Sequence, residues 1–152
     1  MKGRVIIYGL VVVLSASVFS WLSARDAVVD RQQGDTVTLG RTVYISEGCI
    51  HCHSQYVRPV GPDTSLWGER TTVEQALGQT PVLIGNRRQG PDLAKVALRR
   101  PREWNRLHLM DPRRIVPGSR MPSFAHLFAE GDPRGPALLD YLDQLNPEHE
   151  SR

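Results

Sequence analysis

An all-α domain preceded by a single N-terminal transmembrane helix is the fold class this sequence predicts, and three observations carry it. Residues 5–22 form an apolar run without a charge. Apolar side chains recur at helical spacing in two later segments, and no run of strands is evident between them. A chain of 152 residues suits one domain behind such a segment. The divisions expected are an anchor over residues 1–23, a stalk over 24–34, the main domain over 35–146 and a tail over 147–152.

The apolar run, as a helix rising 1.5 Å per residue, covers roughly 27 Å, close to the hydrocarbon thickness of a bilayer. Trp21 falls at its outer end, where an indole favours the interface. Lys2 and Arg4 precede it and hold the N-terminus inside, so the remainder lies on the outer side. For a bacterial chain this means a single-pass protein of the inner membrane with its domain in the periplasm. A cleaved signal peptide is the competing reading, but Leu22 stands where a cleavage site ending at Ala24 needs a small residue. Both readings export the domain.

Charge excludes one class of partner. The chain has 19 basic and 16 acidic side chains, and two of the basic ones precede the apolar run. The exported part is therefore almost neutral, with no basic footprint for nucleic acid.

From Asp35 to Gly48 the pattern is helical, with Val37, Gly40, Val43 and Tyr44 on one face. Val37, Thr38, Thr42, Val43 and Ile45 are β-branched, so packing must hold this helix where intrinsic propensity does not. Residues 57–91, rich in Gly and Pro, read as a long wrapping loop with a turn of helix at Thr72–Leu77. Pro101 opens a short helix that runs to about Met110 and stops at Asp111-Pro112. Residues 115–124 are an irregular loop. From Gly135, Leu138, Tyr141, Leu142 and Leu145 line one face of an amphipathic helix, with Asp140 and Asp143 outside.

The chemistry is concentrated in Cys49-Ile50-His51-Cys52-His53. Cys-x-x-Cys-His is the attachment signature of c-type haem. On a helical turn the two thiols are neighbours and face the two vinyl groups on one porphyrin edge. The next residue, His53, comes under the iron as an axial ligand. Structural zinc needs four ligands, and the chain has no other cysteine. A thioredoxin-like pair needs a βαβ setting, and a disulfide across two residues closes too small a loop to stabilise much.

The second axial ligand is expected from Met121, in the rigid loop Val116-Pro117-Gly118-Ser119-Arg120-Met121-Pro122. Met110 at the end of a helix, His108 and His126 are the alternatives. In Gly90-Pro91-Asp92-Leu93, the Pro91 carbonyl is suited to accept from the Nδ1–H of His53, which orients a ligating imidazole and raises its basicity.

Tyr44 to Gln55 with Arg58-Pro59, Arg87-Arg88-Gln89-Gly90-Pro91-Asp92-Leu93-Ala94, and Trp104 to Pro112 continuing to Met121-Pro122 together resemble a known family. It is the mono-haem subunit (subunit II, the FixO/CcoO family) of cbb(3)-type cytochrome c oxidases. The Ser-Gln-x-x-Arg-Pro extension after the haem motif is its more specific part. Tyr56 departs from it, standing where the family tends to have methionine. The resemblance implies a class I cytochrome c fold, one covalently bound haem and ligation by His53 and Met121. It also implies electron relay to a haem–copper catalytic subunit, with other cytochrome c subunits or carriers as partners. No catalysis is expected from this chain alone. Arg58, Arg87 and Arg88 are the candidates for pairing with haem propionates. An independent membrane-tethered carrier, the small cytochrome subunit of a nitric oxide reductase and a haem sensor with an open distal site are the rival readings.

Overall fold

The computed structural model describes the backbone of residues 2–85 and 87–146, and the side chains of these except residues 2–12 and 29–31. Among the described residues every regular element is helical and there is no strand. Helix α1 spans Lys2–Ser46, α2 Cys49–Cys52, α3 Asp63–Trp67, α4 Val73–Leu77, α5 Arg102–Met110, α6 Pro112–Ile115 and α7 Arg134–Gln144. Short 3-10 turns occupy Val96–Leu98 and Ala125–Phe128. The chain divides into two compact units, residues 1–35 and 36–152.

The described residues of the first unit, 2–35, all lie within α1. Val13, Leu14, Val18, Phe19, Trp21 and Leu22 are exposed there. Among the described residues no helix is long and apolar enough to cross a membrane. The run expected to do so, residues 5–22, has its side chains 5–12 outside the described residues, as the tail over 147–152 does entirely. Residues 24–34, expected as a stalk, are helical without a break.

The second unit carries the core. Val43 and Tyr44 from the last turns of α1, Leu109 of α5, Phe124, Leu127, and Leu138, Leu139, Tyr141 and Leu142 of α7 are buried in one cluster with Leu83 and Val96. Each fully buried Leu contributes roughly 1.5–3 kcal/mol, which is how packing holds the β-branched end of α1. Gly40 marks the closest approach within this cluster: a Cβ there would stand 1.9 Å from the Ala137 carbonyl oxygen. Tyr44 and Tyr141 meet with ring centroids 5.6 Å apart. The α7 periodicity is correct but too narrow, because Ala137 and Leu139 are buried as well. Asp140 and Asp143 lie on its outer face, each 2.7 Å from Arg102 of α5.

The wrapping loop over 57–91 is better organised than its composition suggests. Val57 N–H donates to Thr71 Oγ1 at 2.9 Å, and Thr71 N–H donates to the Val57 carbonyl at 3.0 Å, closing the segment on itself. Helix α4 starts on a reciprocal cap between Thr72 and Gln75, the Thr-x-x-Gln pattern of a capping box. Helix α3 was not expected. Pro101 precedes α5 as its cap residue instead of opening it. After α5 the chain restarts at once as α6, with Pro112 at its first position and the Asp111 side chain accepting from Arg114 N–H at 3.2 Å.

Candidate functional site

Gly48 creates the break on which the site depends. Its φ of +73° is left-handed, a conformation that costs glycine little, and it ends α1 so that Cys49–Cys52 forms a separate turn. That turn is closed by His53 N–H donating to the Cys49 carbonyl at 2.9 Å. Tyr44, buried in the core, donates its hydroxyl to the His53 carbonyl at 2.9 Å and ties the end of the turn to α1. Both cysteines are free thiols and partly buried. Burial pushes the Cys49 thiol up to about 12, so it stays protonated at neutral pH.

His53 is held from the opposite side by residues 90–93, which run alongside 52–54. Gly90 N–H donates to the Cys52 carbonyl at 3.0 Å and Leu93 N–H to the Ser54 carbonyl at 2.7 Å. Between them His53 Nδ1 lies 2.8 Å from the Pro91 carbonyl oxygen, so this nitrogen carries the proton. Burial lowers the His53 pKa, against the opposing effect of the Pro91 bond. The ring is therefore neutral at pH 7, with the Nε2 lone pair free to bind a metal. Gly90 makes room for it: a Cβ there would lie 2.2 Å from His53 Cε1 and 2.7 Å from Nδ1.

The other candidates separate by their contacts. Met121 is partly buried against the apolar core. The Met110 sulfur instead accepts from Arg106 at 3.1 Å. His126 lies outside, 3.3 Å from Glu47. His108 stacks on Trp104 with ring centroids 4.6 Å apart, and its Nδ1 is buried without a partner among the described residues.

Arg58 and Arg88, read from the sequence as propionate partners, face carboxylates of this chain. Arg58 forks onto Asp63 with Nε and Nη2 each 2.9 Å from a carboxylate oxygen. Arg88 reaches Asp63 at 2.5 Å and Asp92 at 3.2 Å. Both guanidiniums are thus matched by carboxylates of the chain itself, while Arg87 is exposed. Asp63 has no sequence signal that would have marked it; Asp92 was visible only as part of its tetrapeptide.

These residues fit a covalently held haem: two unpaired thiols on one turn, a neutral imidazole oriented by its other nitrogen, and a thioether on a non-helical loop. Among the described residues no group of three or more His, Cys, Asp or Glu is placed to hold a bare ion, as structural zinc would require. The family model described as cytochrome c oxidase, mono-haem subunit/FixO, matches residues 5–134. The chain belongs to this family. A FixO chain is by that description the one-haem subunit of an oxidoreductase complex, as the resemblance in its motifs implies. No curated protein matches the chain individually.

Proposed function

We propose that this chain is a membrane-anchored c-type cytochrome that relays electrons to the haem–copper catalytic subunit of a cbb(3)-type terminal oxidase. Cys49 and Cys52 hold one haem by thioether bonds, and His53 and Met121 are the axial ligands. Residues 1–23 anchor it once in a bacterial inner membrane, 24–34 form the stalk, and 35–146 form a periplasmic class I cytochrome c domain. When bound, the haem supplies a one-electron iron couple.

The observation that carries this reading is the bond from His53 Nδ1 to the Pro91 carbonyl directly after the Cys-x-x-Cys turn. It selects the tautomer with Nε2 free and makes the imidazole a stronger donor. The Arg106 contact on the Met110 sulfur favours Met121 for the other face. With a covalent haem and both axial positions filled, the part proposed for the chain is outer-sphere one-electron transfer.

The test is covalent haem content of the full chain, read by haem stain after denaturing electrophoresis. Wild type should hold one haem per chain, and Cys52→Ala should lose most or all of the covalent signal. Normal haem stoichiometry in Cys52→Ala would overturn the assignment.

A further inference from the structure

The segments that hold His53 are themselves held by an ion-pair network built on two buried carboxylates. Residues 90–93 lie along 52–54 through the two backbone bonds and the Pro91–His53 contact. Next to this ladder, both backbone groups of Tyr56 are taken by charged side chains. Its N–H donates to Asp92 Oδ2 at 3.1 Å, and its carbonyl accepts from Arg88 Nη2. Arg88 and Asp92 also pair with each other, and Asp92 Oδ1 accepts from Ala94 N–H at 2.9 Å. Arg99 donates to the Asp92 carbonyl. Arg88 then reaches Asp63 at the start of α3, which Arg58 grips from the other side.

Two features set this apart from an ordinary surface salt bridge. Asp63 and Asp92 are 2% and 3% exposed, so each carboxylate needs its partners to remain charged. Arg88 has φ +45°, a left-handed backbone that an L side chain rarely adopts, two residues before Gly90. Its fork to Asp63, Asp92 and the Tyr56 carbonyl offsets that conformation and fixes where the chain enters the Gly90-Pro91 turn.

We propose that Arg88, acting through Asp92 and Asp63, is a positioning residue for His53: it clamps residues 88–92 onto Tyr56 and so holds the Pro91 carbonyl on Nδ1. The inference rests on the reading of His53 as an iron ligand. It gives Arg88, with Arg58 on the far side of Asp63, a role in holding the segment that carries Pro91. A lysine at position 88 keeps the charge but cannot present the planar fork to three acceptors.

The test is hydrogen exchange of the His53 Nδ1 proton by NMR in the reduced, haem-loaded full chain, together with the midpoint potential. Arg88→Lys should keep its covalent haem, speed that exchange about tenfold and raise the potential, because a weaker Nδ1 bond makes the imidazole a poorer donor to ferric iron. Arg102→Lys, which disturbs the Asp140 and Asp143 pairs instead, should leave both readouts at wild-type values. Unchanged exchange and potential in Arg88→Lys, or equal changes in Arg102→Lys, would overturn the proposal. If Arg88→Lys does not accumulate with haem, Asp63→Asn takes its place, with a smaller change in the same direction expected and no change counting against. Wild type without covalent haem would instead defeat the functional reading on which this one stands.

Discussion

At the scale of single residues, the site depends on side chains that leave little latitude. Gly90→Ala puts a methyl group where the His53 ring lies, 2.2 Å from Cε1. The ring must then turn away, which breaks the Pro91 bond and misdirects Nε2. The expected outcome is a chain that loads haem poorly or is high-spin, read by absorption and electron paramagnetic resonance; wild-type low-spin spectra would show that the ring adapts. Met121→Ala should remove the charge-transfer band of thioether-ligated ferric haem and lower the potential, with the haem still attached. Persistence of that band would move the ligand to Met110 or another group. Cys49, Cys52 and His53 stood out in the sequence because the Cys-x-x-Cys-His spacing is itself the motif, and the structure shows the Pro91 carbonyl that the sequence offered as a partner of His53 at 2.8 Å from Nδ1. The partners of the arginines did not stand out. Arg88 and Asp63 are 25 positions apart, and nothing local marks one as the other's partner.

At the scale of elements, helices with an apolar stripe or a capping pattern were readable, and α3 was not. Helix α7 announced itself through Leu138, Tyr141, Leu142 and Leu145, because a stripe at helical spacing must be buried. Helix α4 could be placed by its turn, and its Thr72–Gln75 cap is a pattern visible in sequence. Helix α3, five residues in a stretch of Gly and Pro, owes its position to the carboxylate of Asp63, which four bonds from Arg58 and Arg88 hold in place. This gives a pH signature. The Arg58 guanidinium, with its bonds to the side chain, holds the Asp63 carboxyl well below its ordinary 3.8. A depressed folded pKa contributes stability that is fully present above the unfolded value and is lost as pH falls through the folded one. Acid denaturation of wild type should therefore steepen below pH 3.8, and Asp63→Asn should be less stable at pH 7 with a flatter acid limb. Circular dichroism against pH checks this, and parallel acid limbs in the two proteins would contradict it.

At the scale of the whole molecule, the family assignment joins features that the elements alone leave separate. The match over residues 5–134 takes in the whole apolar run as well as the haem motif and the Met-Pro loop. The all-α class was legible because strand-like alternation is missing, whereas the continuous helix through residues 24–34 was not, since a polar stretch without a buried face has no periodicity to read. The central claim is that this chain relays electrons inside an oxidase. A reduced-minus-oxidised spectrum with copper analysis, on tagged chain purified from native membranes in mild detergent, tests it most directly. The account predicts a c-type band together with co-purifying b-type haem and copper. A c-type band alone, or b-type haem with non-haem iron and no copper, would contradict it, pointing to a solitary tethered carrier or to a nitric oxide reductase subunit.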